Sequence, residues 1–68
     1  MYRLDLIGFQ NQRLVPCATV EQARAEYIKA KGETFKATSL GHTSMVGWTM
    51  WELWKLGEEP TVIASGEF

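Results

Sequence analysis

The chain has 68 residues, a formal net charge of −1 and a single cysteine, Cys17, so it fits one domain spanning residues 1–68 and cannot form an internal disulfide. Residues 1–36 carry six cationic and four anionic side chains, and residues 37–68 carry one and four, which is not the basic excess typical of nucleic-acid-binding proteins. No signal-peptide pattern, membrane-spanning apolar run, metal-ligand spacing or cofactor motif is present, so we expect a cytoplasmic protein with no metal and no cofactor.

The first predicted element is a strand over residues 2–8, YRLDLIG. Tyr2, Leu4 and Leu6 lie two residues apart, which is the side-chain period of a strand with one buried face. We therefore expect these three side chains on one face and the intervening residues on the other.

A second, less regular extended segment follows a polar turn, FQNQ, at residues 9–12. Residues 13–18, RLVPCA, favour a short hairpin partner for the first strand. Pro16 has no N–H for the sheet and restricts the segment to a sheet edge or a strand end. The alternative is that residues 9–18 form a loop that leads to the helix.

The most clearly marked element is a helix within residues 18–32, ATVEQARAEYIKAKG. Thr19 and Gln22 have the spacing of a capping box at its start, and Gly32 stands where a left-handed C-terminal cap is expected. An apolar stripe predicts that the helix packs on a sheet. The stripe consists of Val20, Ala23, Tyr27 and Ala30, with Ile28 beside it.

Beyond Gly32, residues 34–40, TFKATSL, favour another strand. A connection rich in Thr and Ser then lies between Gly41 and Gly47, and both glycines are typical of turns. The sequence therefore predicts a strand and a turn between the helix and the C-terminal part of the chain.

Two structures compete for residues 46–56, VGWTMWELWKL. As a helix, the segment has a second capping box at Thr49 and Glu52, a cap at Gly57 and a stop at Pro60. That helix would be apolar on every side, and a domain of 68 residues cannot bury it. We favour a strand that turns through LGEEP and pairs with TVIASGEF as a hairpin.

The three tryptophans of this segment are its candidate functional residues. Strand alternation places Trp48 and Trp54 on one face with Glu52, and Trp51 on the other with Leu53. Both faces are then apolar, and a single helix can cover only one of them. We therefore predict a partner-binding surface on the hairpin. It comprises Trp48, Trp51, Glu52, Leu53, Trp54 and Lys55. The alternative is that all three indoles fill the core of a small domain.

Other chemically interesting side chains have simpler interpretations. His42 adjoins Thr43 and Ser44, but neighbouring side chains of an extended segment seldom point together, so we expect a solvated turn histidine. Cys17 has no basic neighbour to lower its pKa and is expected to be a small buried hydrophobe. The consecutive carboxylates of Glu58 and Glu59 are expected to keep the hairpin tip soluble.

The sequence thus predicts an α+β fold, one helix packed on an antiparallel sheet of four or five strands in the order β-(β)-α-β-β-β. The expected function is non-enzymatic protein binding, with a second copy of the chain, a homodimer, as the first candidate partner. A small phage or mobile-element protein that inhibits a host complex is one hypothesis, based on size and the lack of catalytic groups. The alternatives are a nucleic-acid-binding accessory protein that uses Arg3, Arg13, Lys36 and the aromatic side chains, and an enzyme whose site is shared between subunits.

Overall fold

The computed structural model describes residues 1–39 and 47–68, and the side chains of residues 1–34 and 47–68. Its elements are β1 (Tyr2–Gly8), β2 (Gln12–Cys17), α1 (Val20–Ser39), β3 (Trp48–Lys55) and β4 (Thr61–Glu67). The four strands form one antiparallel sheet in the order β2-β1-β3-β4, and α1 packs on one face of it. The predicted α+β fold is confirmed, with four strands among the described residues.

The core lies where the central strand β1 meets α1. Leu4 and Leu6 are each only 1% exposed, and both point to the side of the sheet that carries the helix. In the sheet, Leu4 lies between Val15 and Leu53. The predicted bounds and the predicted buried face of β1 are therefore confirmed, because apolar alternation on a central strand is strongly tied to burial.

The hairpin of β1 and β2 is also confirmed, so residues 9–18 are not a loop. The Gly8 N–H donates to the Asn11 carbonyl oxygen at 2.7 Å and closes the turn. β2 is an edge strand, and Pro16 lies opposite Arg3. An edge position is where a sheet tolerates a residue that lacks an N–H.

The predicted start of α1 is confirmed in atomic detail. The Gln22 N–H donates to the Thr19 hydroxyl oxygen at 3.2 Å, and the Gln22 side-chain oxygen accepts from the Ala18 N–H at 2.7 Å. The first bond satisfies a backbone donor that the first helical turn leaves free, and the second ties Ala18, just before the helix, to Gln22. On the side that faces the sheet, Ala23 and Ala30 are each 2% exposed.

The predicted end of the helix at Gly32 is wrong, and so is the strand predicted for residues 34–40 over the part that is described. The helix α1 passes through Gly32 and continues to Ser39. Glycine in a helix interior costs only about 1 kcal/mol relative to alanine, which tertiary contacts can offset. Trp48 supplies such contacts, since its indole N–H donates to the Glu33 carboxylate at 3.3 Å and its backbone N–H donates to the Thr34 hydroxyl at 3.0 Å.

Residues 48–55 form a strand and not a helix, and β3 pairs with β4 as predicted. The β1–β3 register shifts between Ile7 and Gly8, so that Ile7 lies opposite Met50 while Gly8 lies opposite Trp48. This bulge turns Trp48 toward α1. A side chain at position 8 has no room, because a Cβ there would lie 2.8 Å from the Gly47 carbonyl oxygen. Within the described part of the chain, no helix has both the length and the apolar character needed to cross a membrane.

Candidate functional site

The sheet divides the six predicted partner-binding residues between its two faces. We call the face under α1 the helix side and the opposite face the open face. Pairing with β1 places Leu53 and Lys55 on the helix side, opposite Leu4 and Tyr2. The helix side also holds Trp48 and Trp51, and the open face holds Glu52 and Trp54. The prediction that Trp48 shares a face with Trp54 is wrong. The β-bulge in the β1–β3 pairing leaves Thr49 as an extra residue, so the alternation of faces is reversed at Trp48.

Trp48 is a core residue that ties the hairpin to α1 and β2. Its side chain is 6% exposed, and the Arg13 guanidinium lies 5.2 Å from its ring centroid. Arg13 also approaches the Glu33 carboxylate at 3.7 Å, and that carboxylate accepts from the indole N–H. Trp48 is thus held by a cation–π contact and a hydrogen bond, and the two residues that make them, Arg13 and Glu33, form an ion pair with each other. Trp48 and Leu53 are both buried, so neither forms part of an exposed partner-binding surface.

Trp51 belongs to an aromatic cluster on the helix side. Its ring meets Tyr27 edge-on, with centroids 5.4 Å apart and an interplanar angle of 60°. Tyr27 also stacks on Phe68, with centroids 5.3 Å apart. The Trp51 indole lies over Gly66, where an added Cβ would be only 3.0 Å from its ring nitrogen. Two of the three indoles therefore serve the packing of α1 on the sheet, as the core interpretation predicts.

Beside this cluster, a groove of about 290 Å³ runs between α1 and β4. Its lining is almost entirely apolar. Val20, Ala23 and Tyr27 form the α1 wall, with Trp51, Leu53 and Ala64 on the sheet. The groove exists because α1 packs over β1, β2 and β3 and leaves β4 largely uncovered. One helix about 10 Å across cannot cover four strands that are about 4.8 Å apart.

The centre of the open face is an ion pair that supports the third tryptophan. The Arg3 guanidinium donates to both Asp5 oxygens, from Nε at 2.7 Å and from Nη2 at 3.0 Å. The same guanidinium lies 5.3 Å from the centroid of the Trp54 ring. The hydrogen bond to Asp5 raises the pKa of Arg3, and burial offsets part of that rise. Asp5 is only 3% exposed, so the sheet holds this pair in one geometry.

Apolar side chains surround the ion pair on the open face. Leu14 is 51% exposed and lies opposite Asp5, and Met50 is 43% exposed and lies opposite Ile7. Val62, 37% exposed, lies opposite Trp54. No described element packs on this face. The Nε1 atom of Trp54 is buried and has no hydrogen-bond partner among the described residues.

The open face is acidic as well as apolar. Register places Glu52 opposite Asp5 and Ser65, and places Glu67 opposite Met50. Counted over the described residues, the face therefore carries three carboxylates, including Asp5, against the guanidinium of Arg3, a formal charge of −2. Among the described residues, no group of three or more His, Cys, Asp or Glu side chains is placed to hold a metal ion.

The residues weighed for catalysis are dispersed. Cys17 is 2% exposed, and its thiol contacts the Val15 carbonyl oxygen at 3.5 Å. Burial, followed by the charge of Glu26, raises the pKa of this thiol, so the predicted buried hydrophobe is confirmed. Glu58 and Glu59 are exposed at the hairpin tip. The interpretations of His42 with its hydroxyl neighbours, of Gly41 and of the Lys36 side chain fall outside the described residues.

Several residues of the open face are not among the predicted partner-binding residues. Arg3 and Asp5 are two positions apart and alternate with Leu4 and Leu6. The alternation that places the two leucines on the buried face therefore also places Arg3 and Asp5 side by side on the opposite face. Leu14 gave a weaker signal, because it is only one apolar residue in an edge strand.

Comparison of the chain with protein-family models, with curated proteins and with solved structures finds no match, so function is argued from the geometry of the two faces.

Proposed function

We propose that this protein is a non-enzymatic protein-binding module and that its contact surface is the open face, with Trp54 as the anchor. The observation that best supports the proposal is the set of exposed apolar side chains that share a face with Trp54, a face that no described element covers. Apolar surface rimmed by polar groups usually marks an interaction site, and on this face Val62 adjoins Trp54 while Ile7 adjoins Met50. The hairpin contributes Trp54, Met50, Glu52 and Val62 to this surface.

The ion pair of Arg3 and Asp5 makes the surface suitable for tight contact. Two hydrogen bonds fix the guanidinium, and the guanidinium in turn fixes the Trp54 ring. A side chain that is already ordered loses little rotamer entropy on binding. Tryptophan and arginine are also the residues most often found at energetic hot spots. The open face therefore offers one rigid aromatic anchor among smaller apolar contacts.

The charge of the open face favours a partner surface that combines apolar and cationic side chains. A formal charge of −2 attracts a basic partner and disfavours nucleic acid, since phosphates would meet Glu52 and Glu67. A second copy of the chain is the alternative occupant. It would cover the apolar residues but would bring two acidic faces together. Inhibition of a host complex by a phage or mobile-element protein would use the same face, by occupying a surface that the host protein needs for its own contacts.

The test is site-specific photo-crosslinking in cells. A photoreactive amino acid replaces Met50 on the open face in one variant, and replaces Ala25 on the exposed side of α1 in a matched control. We expect covalent adducts from position 50 and none from position 25. An adduct with the mass of two chains identifies a second copy, and any other adduct identifies a different protein by mass spectrometry. Equal adduct formation at both positions, or none at position 50, would contradict the proposal.

The purified partner then measures the role of the anchor. A hot-spot residue contributes at least about 2 kcal/mol on truncation, which corresponds to about thirtyfold in affinity. We expect Trp54→Ala to weaken binding by at least this factor, while Ala25→Ser leaves binding unchanged. Circular dichroism of both variants verifies that the fold is intact. Wild-type affinity for Trp54→Ala would show that the open face is not the contact surface.

A further inference from the structure

We propose a second binding surface, separate from the open face: the outer edge of β4 and the groove beside it accept an extended segment of a partner protein as a fifth strand. The segment we infer carries lysine or arginine and at least one large apolar side chain, at alternating positions. Strand addition of this kind takes its affinity from main-chain hydrogen bonds and its specificity from alternate side chains. The proposal does not depend on the function proposed for the open face.

The two edges of the sheet differ in how they are protected. β2 contains Pro16 and packs against α1, and both features discourage another strand. β4 contains no proline and no lysine or arginine, and all its residues except Gly66 are exposed. β4 contains one β-bulge, at Ile63. Val62 and Ala64 lie opposite the consecutive β3 residues Trp54 and Leu53, so Ile63 is an extra residue in the pairing. Residues 64–67, beyond this bulge, have no described strand on their outer side and are the part of the edge that is open to pairing.

The groove gives the added strand a place for its side chains. On the helix side, residues 64–67 of β4 present only the methyl group of Ala64 and the bare backbone of Gly66, opposite Leu53 and Trp51. A fifth strand would lie about 4.8 Å beyond β4. A large apolar side chain on its helix side would reach across Ala64 into the 290 Å³ groove, against Tyr27 and Trp51. The small residues of β4 thus connect the groove to the edge.

The charge around β4 decides between the possible occupants. Residues 56–68 contain three glutamates, Glu58, Glu59 and Glu67, and no lysine or arginine. Arg24 lines the α1 wall of the groove and Lys55 lies opposite Thr61 of β4, so the surroundings of the edge carry these three carboxylates against two cations and remain net acidic. A basic segment is complementary to this charge. Residues 56–68 of a second copy would add the same three glutamates, and like charges disfavour that pairing.

The test uses a library of random peptides about eight residues long, the usual length of a strand, selected against the wild-type chain. We expect enriched peptides that alternate lysine or arginine with leucine, valine or an aromatic residue. Ala64→Lys fills the entrance to the groove and adds a positive charge at an exposed position, so it should weaken binding of an enriched peptide by at least about tenfold. Ala25→Lys, on the exposed side of α1, is the matched control and should bind as the wild type does.

Hydrogen exchange maps the bound peptide. We expect slower exchange of β4 backbone amides in the complex and no change in β2. The inference is overturned if no peptides are enriched, if they lack the basic bias, if Ala64→Lys binds them as the wild type does, or if protection appears away from β4. A free protein that is dimeric by light scattering, and monomeric as Ala64→Lys, would also overturn it by showing that a second copy occupies the edge. Crosslinking from position 50 tests the open face separately, so the two proposals can fail independently.

Discussion

Replacing Gly32 with alanine is predicted to stabilise the protein, and the sign of the effect tests the course of α1. The helix continues through this position to Ser39, and Gly32 is exposed. An added Cβ would have no atom within 4 Å, so the substitution introduces no clash. The backbone at Gly32 is that of a helix interior, which alanine adopts more readily than any other residue.

The expected gain follows from helix propensity. Glycine is about 0.8–1.0 kcal/mol less favourable than alanine in a helix interior, largely because the unfolded chain with glycine has more conformational freedom to lose. Gly32→Ala should therefore raise the free energy of unfolding by about 1 kcal/mol. For a domain of this size, that corresponds to a rise of about 4–8 °C in Tm.

The assay is thermal and urea unfolding of both proteins, followed by far-UV circular dichroism. If the helix instead ended at Gly32 with a left-handed cap, as the sequence alone predicts, alanine at this position would lose about 1–2 kcal/mol. The two structures therefore predict opposite signs. A lower Tm for Gly32→Ala would refute the continuous helix.

Three further predictions concern other sites. Gly8→Ala should destabilise the protein by about 1–3 kcal/mol in urea unfolding, because its Cβ would lie 2.8 Å from the Gly47 carbonyl oxygen; an unchanged midpoint would contradict the close approach. Arg3→Ala should lower the urea midpoint, because it leaves the buried Asp5 without its cation. The double variant Arg3→Met with Asp5→Leu should recover part of the loss, and equal stability of the two variants would argue against the ion pair. Because burial raises the pKa of Cys17, the folded protein retains the thiol proton after the unfolded chain has released it. The stability that Cys17 contributes should be fully present below about pH 8.5 and fall as the pH rises through the folded-state pKa, so the stability difference between wild type and Cys17→Ala should shrink in alkaline urea titrations; a constant difference would exclude the shift.

The features that could be predicted from the sequence are those decided by neighbouring residues. The alternation of Tyr2, Leu4 and Leu6 marks both the bounds of β1 and its buried face, because the side-chain period of a strand is short. Thr19 and Gln22 mark the start of α1 because a capping box is a local hydrogen-bond pattern.

The features that could not be predicted depend on contacts between distant residues. Gly32 is a strong local signal for a helix end, and it is overridden by the bonds of Glu33 and Thr34 to Trp48. The face occupied by Trp48 depends on a bulge in the pairing of β3 with β1, and β1 lies at the other end of the chain. The candidate site was predicted only in part for the same reason, since alternation within β3 identifies Trp54 but not the Arg3 that holds it.

The strand order has a consequence for how the chain folds. β1 is the earliest of the described strands and also a central one, and its second neighbour, β3, lies beyond α1. The β1–β2 hairpin and α1 can form from local contacts, but one side of β1 stays unpaired until the last third of the chain docks. Loop-closure entropy opposes that docking. The favourable free energy of apolar burial offsets it only when Trp48 and Leu53 reach α1 and β1. Folding should therefore be all-or-none, with β3 docking in the rate-limiting step, and a nascent chain can complete its sheet only after the C-terminal hairpin has left the ribosome.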